Sequence, residues 1–206
     1  KSCNVLGYGE DAARLVPVNA RFQMDLDALE ATVAALRPEE YIAAAIGIVG
    51  TTEEGAVDPI HRICAFRQRY ERRDNRSFWL HVDAAWGGYV RTLFCGAAPT
   101  VEERFELDVG LDTPDLRTEE IRWNDPETHA AFLAMADSDS TTVDPHKMGY
   151  IPYPAGVVAF RDSRVTEFIT QRAQYLGDTG LGVGSVEDPV QVTAMGPLIL
   201  EGSKPG

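Results

Sequence analysis

Two hydrophobic rhythms alternate along the first half of the chain. Leu26, Leu29, Val33 and Leu36 recur at three- and four-residue steps, which predicts a helix capped by Asp25, running to about Arg37 and stopped by Pro38. Tyr41 to Val49 is apolar throughout, as expected of a strand covered on both faces in a parallel sheet. After a Gly50–Gly55 loop, Asp58-Pro59 predicts another helix with proline at its first position. That helix would turn Ile60, Ile63, Cys64 and Phe66 inward and Arg62, Arg69, Arg72 and Arg73 outward. Phe78 to Val82 reads as the next strand, ending at Asp83. Strand, helix and strand in this order form a right-handed βαβ unit.

The remaining pattern is less regular. Residues 1–6 read as the end of a helix closed by Gly7 and Gly9, and Leu15-Val16-Pro17-Val18 as a short edge strand. Residues 96–128 read as an acidic insertion, with ten acids against three arginines between 101 and 127. Asp125-Pro126 predicts a helix to about Met135. The strand through Thr142-Val143 is followed by the turn Ile151-Pro152-Tyr153-Pro154 and a strand over 156–160. A link that short allows no crossover, so this last strand is expected to run antiparallel. A helix from about Ser163 to Gln174 and a glycine-rich loop from Gly177 to Gly184 complete the expectation. The fold class is therefore α/β, a mostly parallel mixed sheet with helices on both faces.

Composition narrows the function without naming it. Apolar content of 44% and charged content of 25% are ordinary for a globular protein. A net charge of −13 argues against nucleic acid as partner, because phosphate binding needs a basic face. The longest apolar run is too short to span a bilayer, and no signal peptide opens the chain. Cys3, Cys64 and Cys95 show no metal-ligand spacing and fit reduced thiols in the cytoplasm. The abrupt start and finish read as a piece of a longer polypeptide.

Lysine usage is more pointed. Of three lysines, Lys1 and Lys204 lie at the ends, and Lys147 alone is interior, in Asp144-Pro145-His146-Lys147-Met148-Gly149. Its apolar neighbours Met148, Tyr150 and Ile151 predict a desolvated amine suited to act as a nucleophile or Schiff-base partner. Residues at the carboxyl ends of parallel strands line the ligand crevice of an open α/β sheet. Thr51, Thr52, Asp83 and Lys147 are all expected there. Asp83 alone reads equally well as a helix cap. Beside Lys147, with small residues Ala84, Ala85, Gly87 and Gly88 following it, it reads as the partner of a pyridine nitrogen in a pyridoxal phosphate site. Two alternatives use the same residues. His81, Asp83 and His146 could form the two-histidine, one-carboxylate set of non-haem iron oxygenases, with Arg161 and Ser163 imitating a downstream co-substrate motif. A non-catalytic domain on the same fold is the other.

His81-Val82-Asp83-Ala84-Ala85-Trp86-Gly87-Gly88, followed by Asp144-Pro145-His146-Lys147-Met148-Gly149, resembles the group II pyridoxal-phosphate-dependent decarboxylases, in their tyrosine decarboxylase-like branch. The resemblance implies the large domain of a fold-type I enzyme, a seven-stranded mixed sheet whose lone antiparallel strand is 156–160, with the amino-terminal segment and the small carboxy-terminal domain outside the chain. It implies that Lys147 carries the cofactor, that His146 holds its phosphate or positions the lysine, that Asp83 pairs with the ring nitrogen, that Ala85 packs on the ring, and that Thr52 reaches the phenolic oxygen. No metal is implied. Tyr175 is the nearest match to the family's proton-donating tyrosine. The implied activity is decarboxylation of an L-amino acid, tyrosine first and aspartate or glutamate second, by a cytoplasmic homodimer with its site at the subunit interface.

Overall fold

The computed structural model describes residues 2–94, 104–106, 120–122, 125–165 and 168. The chain divides into a unit of residues Lys1–Arg161 and a second of Asp162–Gly206. In the second, the described residues hold one 3-10 turn, Ser163–Val165, started by Asp162, whose carboxylate accepts from the Arg164 backbone N–H at 2.9 Å. Of the rest of the helix expected to Gln174 only Phe168 is described, in helical conformation; the glycine-rich loop and Tyr175 lie outside the described residues.

In the first unit, helix α1 (Ser2–Val5) ends at the Gly7 turn as the sequence predicts. The edge strand expected at Leu15–Val18 is not formed. Val18 makes only an isolated antiparallel bridge to Met24. Pro17 has no N–H to give a ladder, and Asn19 turns the chain back at once by accepting from the Arg21 and Gln23 amides at 2.8 and 3.2 Å.

Asp25 then starts α2 (Leu26–Ala34), accepting from the Asp27 and Ala28 amides at 2.9 and 3.1 Å. The helix stops three residues before Arg37. Pro38 bars its neighbour from the helical region, and the Arg37 amide donates to Glu40 at 2.8 Å instead of continuing the ladder. Leu29 and Val33 are buried as expected, with Leu26 and Leu36 packed against them.

Strand β1 (Ala44–Ile48), helix α3 (Ile60–Asp74) and strand β2 (Trp79–Asp83) form the βαβ unit, the two strands pairing in parallel. Helix α3 begins one residue later than expected, with Pro59 as its cap residue, and ends at Asn75 in the left-handed region. Its buried residues are those predicted plus Tyr70. A second antiparallel pair, β3 (Arg104–Glu106) and β4 (Glu120–Arg122), lies within the acidic insertion. This departs from the expected irregular excursion. The remaining insertion residues lie outside the described ones.

Asp125 caps α4 (Pro126–Ala134), again through backbone amides two and three residues on, with proline in the first turn. Strand β5 (Ser140–Val143) pairs in parallel with β2, and β6 (Val157–Phe160) pairs antiparallel with β5. The described sheet has the order β1-β2-β5-β6.

The core lies on one sheet face. Ile60, Ile63 and Cys64 of α3 pack with Val49, Leu80, Val82 and Ala84 of the sheet and with Ala131, Phe132, Ala134 and Met135 from α4 and its end. Phe66, Tyr70 and Phe78 continue this packing to Leu29 and Val33. Among the described residues the opposite face carries no second layer, where the sequence predicts cover on both faces of β1. Ile46 is 56% exposed and Val158 50% exposed, while Ile48, Trp79 and Phe160 are also exposed.

Candidate active site

Three parallel strands end side by side, and backbone hydrogen bonds stitch the loops that follow them. The Val49 amide donates to the Asp83 carbonyl at 2.8 Å and the Gly87 amide returns to the Val49 carbonyl at 3.0 Å. On the other side the Ala84 amide donates to Thr142 at 3.0 Å, and the Asp144 amide to the Ala85 carbonyl at 3.2 Å. The loop after β2 is thus fixed to both neighbours. Thr52, Asp83, Ala85, His146 and Lys147 all lie in the segments that leave this one edge, as expected from the topology.

Glycines make the close approach possible. Gly50 has φ of 87°, a left-handed conformation, and a Cβ there would lie 2.8 Å from the Gly87 amide. A Cβ on Gly87 would meet the Val49 carbonyl at 2.6 Å, and one on Gly88 the Val143 side chain at 2.8 Å. Gly87 and Gly88 therefore let the loop after β2 pack closely against its neighbours.

Asp83 lies on the open sheet face. One carboxylate oxygen accepts from the Ala85 amide at 3.1 Å, and among the described residues no further hydrogen bond to this carboxylate is present. Next to it on the same face is a ladder the motif did not reveal. His81 has both ring nitrogens engaged, Nδ1 with Ser140 Oγ at 2.8 Å and Nε2 with Thr142 Oγ1 at 2.7 Å, and Trp79 Nε1 donates to the same Ser140 oxygen at 2.8 Å. Burial pushes the His81 pKa down, and the nearby Asp83 carboxylate only partly opposes it.

Lys147 is not enclosed by apolar groups. Its side chain is 35% exposed, and Nζ pairs with the Asp144 carboxylate at 2.9 Å. The Lys147 amide also donates to the Asp144 carbonyl at 3.0 Å, so a tight turn brings carboxylate and amine together. His146 Nε2 faces the same Asp144 oxygen at 3.8 Å, while its Nδ1 donates to the Ala155 carbonyl. Thr52 is exposed at the loop tip. Its neighbour Thr51 holds that loop, its hydroxyl accepting from the Ala56 amide at 2.9 Å and donating to Glu54 at 3.1 Å.

The iron-site reading fails on geometry. Among the described residues no three histidine, cysteine, aspartate or glutamate side chains gather to hold a metal, and both His81 nitrogens are already used. Arg161, cast there as a co-substrate ligand, instead donates to Asp139 at 2.8 Å. Asp139 also takes the Arg67 guanidinium and the Leu80 amide, the latter at 2.7 Å, tying α3, β2 and the end of β6 together.

Two acids escaped sequence reading. Asp139 is one. Asp58, which reads as a helix start, instead accepts from the Met24 amide at 2.6 Å and the Ile48 amide at 2.7 Å. Burial raises its pKa, and those two amides partly offset the rise.

Residues 3–107 match a family model described as the pyridoxal-dependent decarboxylase conserved domain. Over 207 aligned residues the chain is 36% identical to an L-tyrosine decarboxylase of Levilactobacillus brevis, covering 100% of this chain and 32% of that protein. It is 31% identical to an aspartate 1-decarboxylase of Aliivibrio fischeri, covering 100% of this chain and 29% of that one. The glutamate decarboxylase domain of a diaminobutyrate-pyruvate transaminase and L-2,4-diaminobutyrate decarboxylase from Vibrio parahaemolyticus superimposes with a TM-score of 0.56 at 25% identity, over 81% of this chain and 28% of that structure. The chain spans about a third of the length of the curated relatives it matches.

Proposed function

From a chain that belongs to the pyridoxal-dependent decarboxylase family, we propose that the whole protein uses pyridoxal 5'-phosphate to decarboxylate an L-amino acid, with tyrosine the leading substrate, giving the amine and carbon dioxide. The single observation that carries this reading is the stitched strand edge, from which Asp83, His146 and Lys147 all project. We also assign residues 1–206 to the cofactor-binding large domain and the intact protein to a cytoplasmic homodimer.

The residues present fit the cofactor. Among the described residues one Asp83 carboxylate oxygen accepts only from the Ala85 amide and the other has no hydrogen bond, so this carboxylate can hold a proton on the ring nitrogen by a charge-assisted hydrogen bond. Lys147 has a partly exposed amine restrained by one carboxylate and within reach of solvent. Thr52 is free to donate to the phenolic oxygen, and Ala85, half-buried beside Asp83, presents only a methyl group to a ring face. When bound, pyridoxal phosphate supplies an electron-withdrawing ring that accepts the electron pair released as the α-carboxylate leaves. Lys147 is the residue that would anchor the cofactor. His146, between Asp144 and the Ala155 carbonyl, steadies the anionic end or the lysine.

Tyrosine leads because the 36% identical relative is an L-tyrosine decarboxylase, and aspartate or glutamate follows because the aspartate enzyme is 31% identical. The test is amine and carbon dioxide release by the intact protein from a panel of tyrosine, phenylalanine, tryptophan, aspartate, glutamate and 2,4-diaminobutyrate. Tyramine is the expected dominant product, by about tenfold or more in kcat/KM, the discrimination that about 1.4 kcal/mol of differential binding gives. Faster turnover of aspartate or glutamate would transfer the assignment to the second reading, and no amine from any substrate would overturn both.

A further inference from the structure

We propose that Tyr153 is a positioning residue that acts through His146, a role that rests on the assignment of His146 to the cofactor site. The imidazole is gripped from two sides by one short segment. Its Nδ1 is bonded to the Ala155 carbonyl, and the Tyr153 ring packs on it with centroids 3.8 Å apart and planes 33° apart. Tyr153 is otherwise 75% exposed, so this contact fills no core.

A carbonyl oxygen has no hydrogen to give, so the bond to Ala155 requires the proton on Nδ1. Nε2 is then the nitrogen turned toward Asp144, at 3.8 Å from the same carboxylate oxygen that Lys147 holds at 2.9 Å. A half-turn of the ring would put carbons in place of both nitrogens, Cδ2 toward the Ala155 carbonyl and Cε1 toward Asp144. The Tyr153 face restrains the ring plane, and the Ala155 carbonyl selects the tautomer. Both come from the link between β5 and β6, which returns to the site edge as the Ile151 amide donates to the Pro145 carbonyl at 3.4 Å. Gly149 lets that turn close, since a Cβ there would meet the Pro145 carbonyl at 2.5 Å and the Tyr89 ring at 2.7 Å.

The experiment uses intact protein labelled with nitrogen-15 histidine, with and without pyridoxal phosphate, and assigns His146 by loss of its signals in His146→Gln. The expected wild-type pattern is a protonated Nδ1 and an unprotonated or exchanging Nε2. Tyr153→Phe keeps the ring and the pattern. Tyr153→Ala averages the two nitrogens and weakens pyridoxal phosphate binding by about three- to tenfold, the population shift expected from losing one aromatic pair. A Tyr153→Ala spectrum identical to wild type, or an altered spectrum with unchanged cofactor affinity, would overturn the positioning role. Wild-type protein with the expected nitrogen pattern but no affinity for pyridoxal phosphate would instead overturn the proposed function and leave the clamp standing.

Discussion

His81 shows how much a side chain's surroundings decide. In sequence it is the first letter of a motif and a possible metal ligand; in the fold its nitrogens are spent on Ser140 and Thr142, with Asp83 two residues further along the same face. Burial lowers its pKa, so the folded protein takes up this proton only at a pH below that at which the unfolded chain does. Stability is therefore unaffected by His81 well above the ordinary imidazole value, and is lost as the pH falls through about 6.5 toward the lower folded value. Urea unfolding of wild type and His81→Asn between about pH 5 and 8 should show the wild type losing more stability on acidification. Parallel curves would mean that His81 does not report this burial. The strand-end placement of Lys147 and Asp83 was legible in the sequence because one interior lysine and one carboxylate stand out where runs of β-formers end. The Lys147–Asp144 pair was not, since apolar neighbours in sequence say nothing about which way an amine turns at a tight turn.

Among the elements, periodicity served well wherever a helix buries one face. The inward residues of α3 are those the spacing marked, with Tyr70 added, and the caps of α2 and α4 are the expected aspartates. The antiparallel course of β6 followed from link length alone. Misses came where side chains compete with backbone: Asn19 folded a would-be strand into a turn, and Glu40 ended α2 early by taking the Arg37 amide. Asp58 is the most consequential such residue. Its carboxylate joins the Met24 turn to the end of β1 just before the Thr51–Thr52 loop, and it is only 6% exposed. Asp58→Ala strands two amides away from water and should destabilise the intact protein by about 2–4 kcal/mol, read as a lower urea midpoint. A loss under about 0.5 kcal/mol would show that the latch is replaceable by solvent.

At the scale of the molecule, the uneven cover of the sheet is the clearest departure from expectation. One face is closed by α3 and α4, while among the described residues the face carrying Ile46, Trp79, His81, Asp83, Thr142 and Val158 has no second layer. The apolar run of Tyr41 to Val49 had implied burial on both faces, and hydrophobicity alone does not say which segment supplies the second layer. Among the described residues the larger sheet has four strands, against the seven implied by the family resemblance. The edge that gathers Thr52, Asp83 and Lys147 is formed by the described strands alone. It is set by the parallel register of β1, β2 and β5 and by the hydrogen bonds between their ends. The most direct test is chemical: load the intact protein with pyridoxal phosphate, reduce it with borohydride, digest it, and locate the added pyridoxyl mass by mass spectrometry. The mass should fall on the peptide containing Lys147 and disappear in Lys147→Ala; its appearance on another lysine, or on none, would contradict the site described.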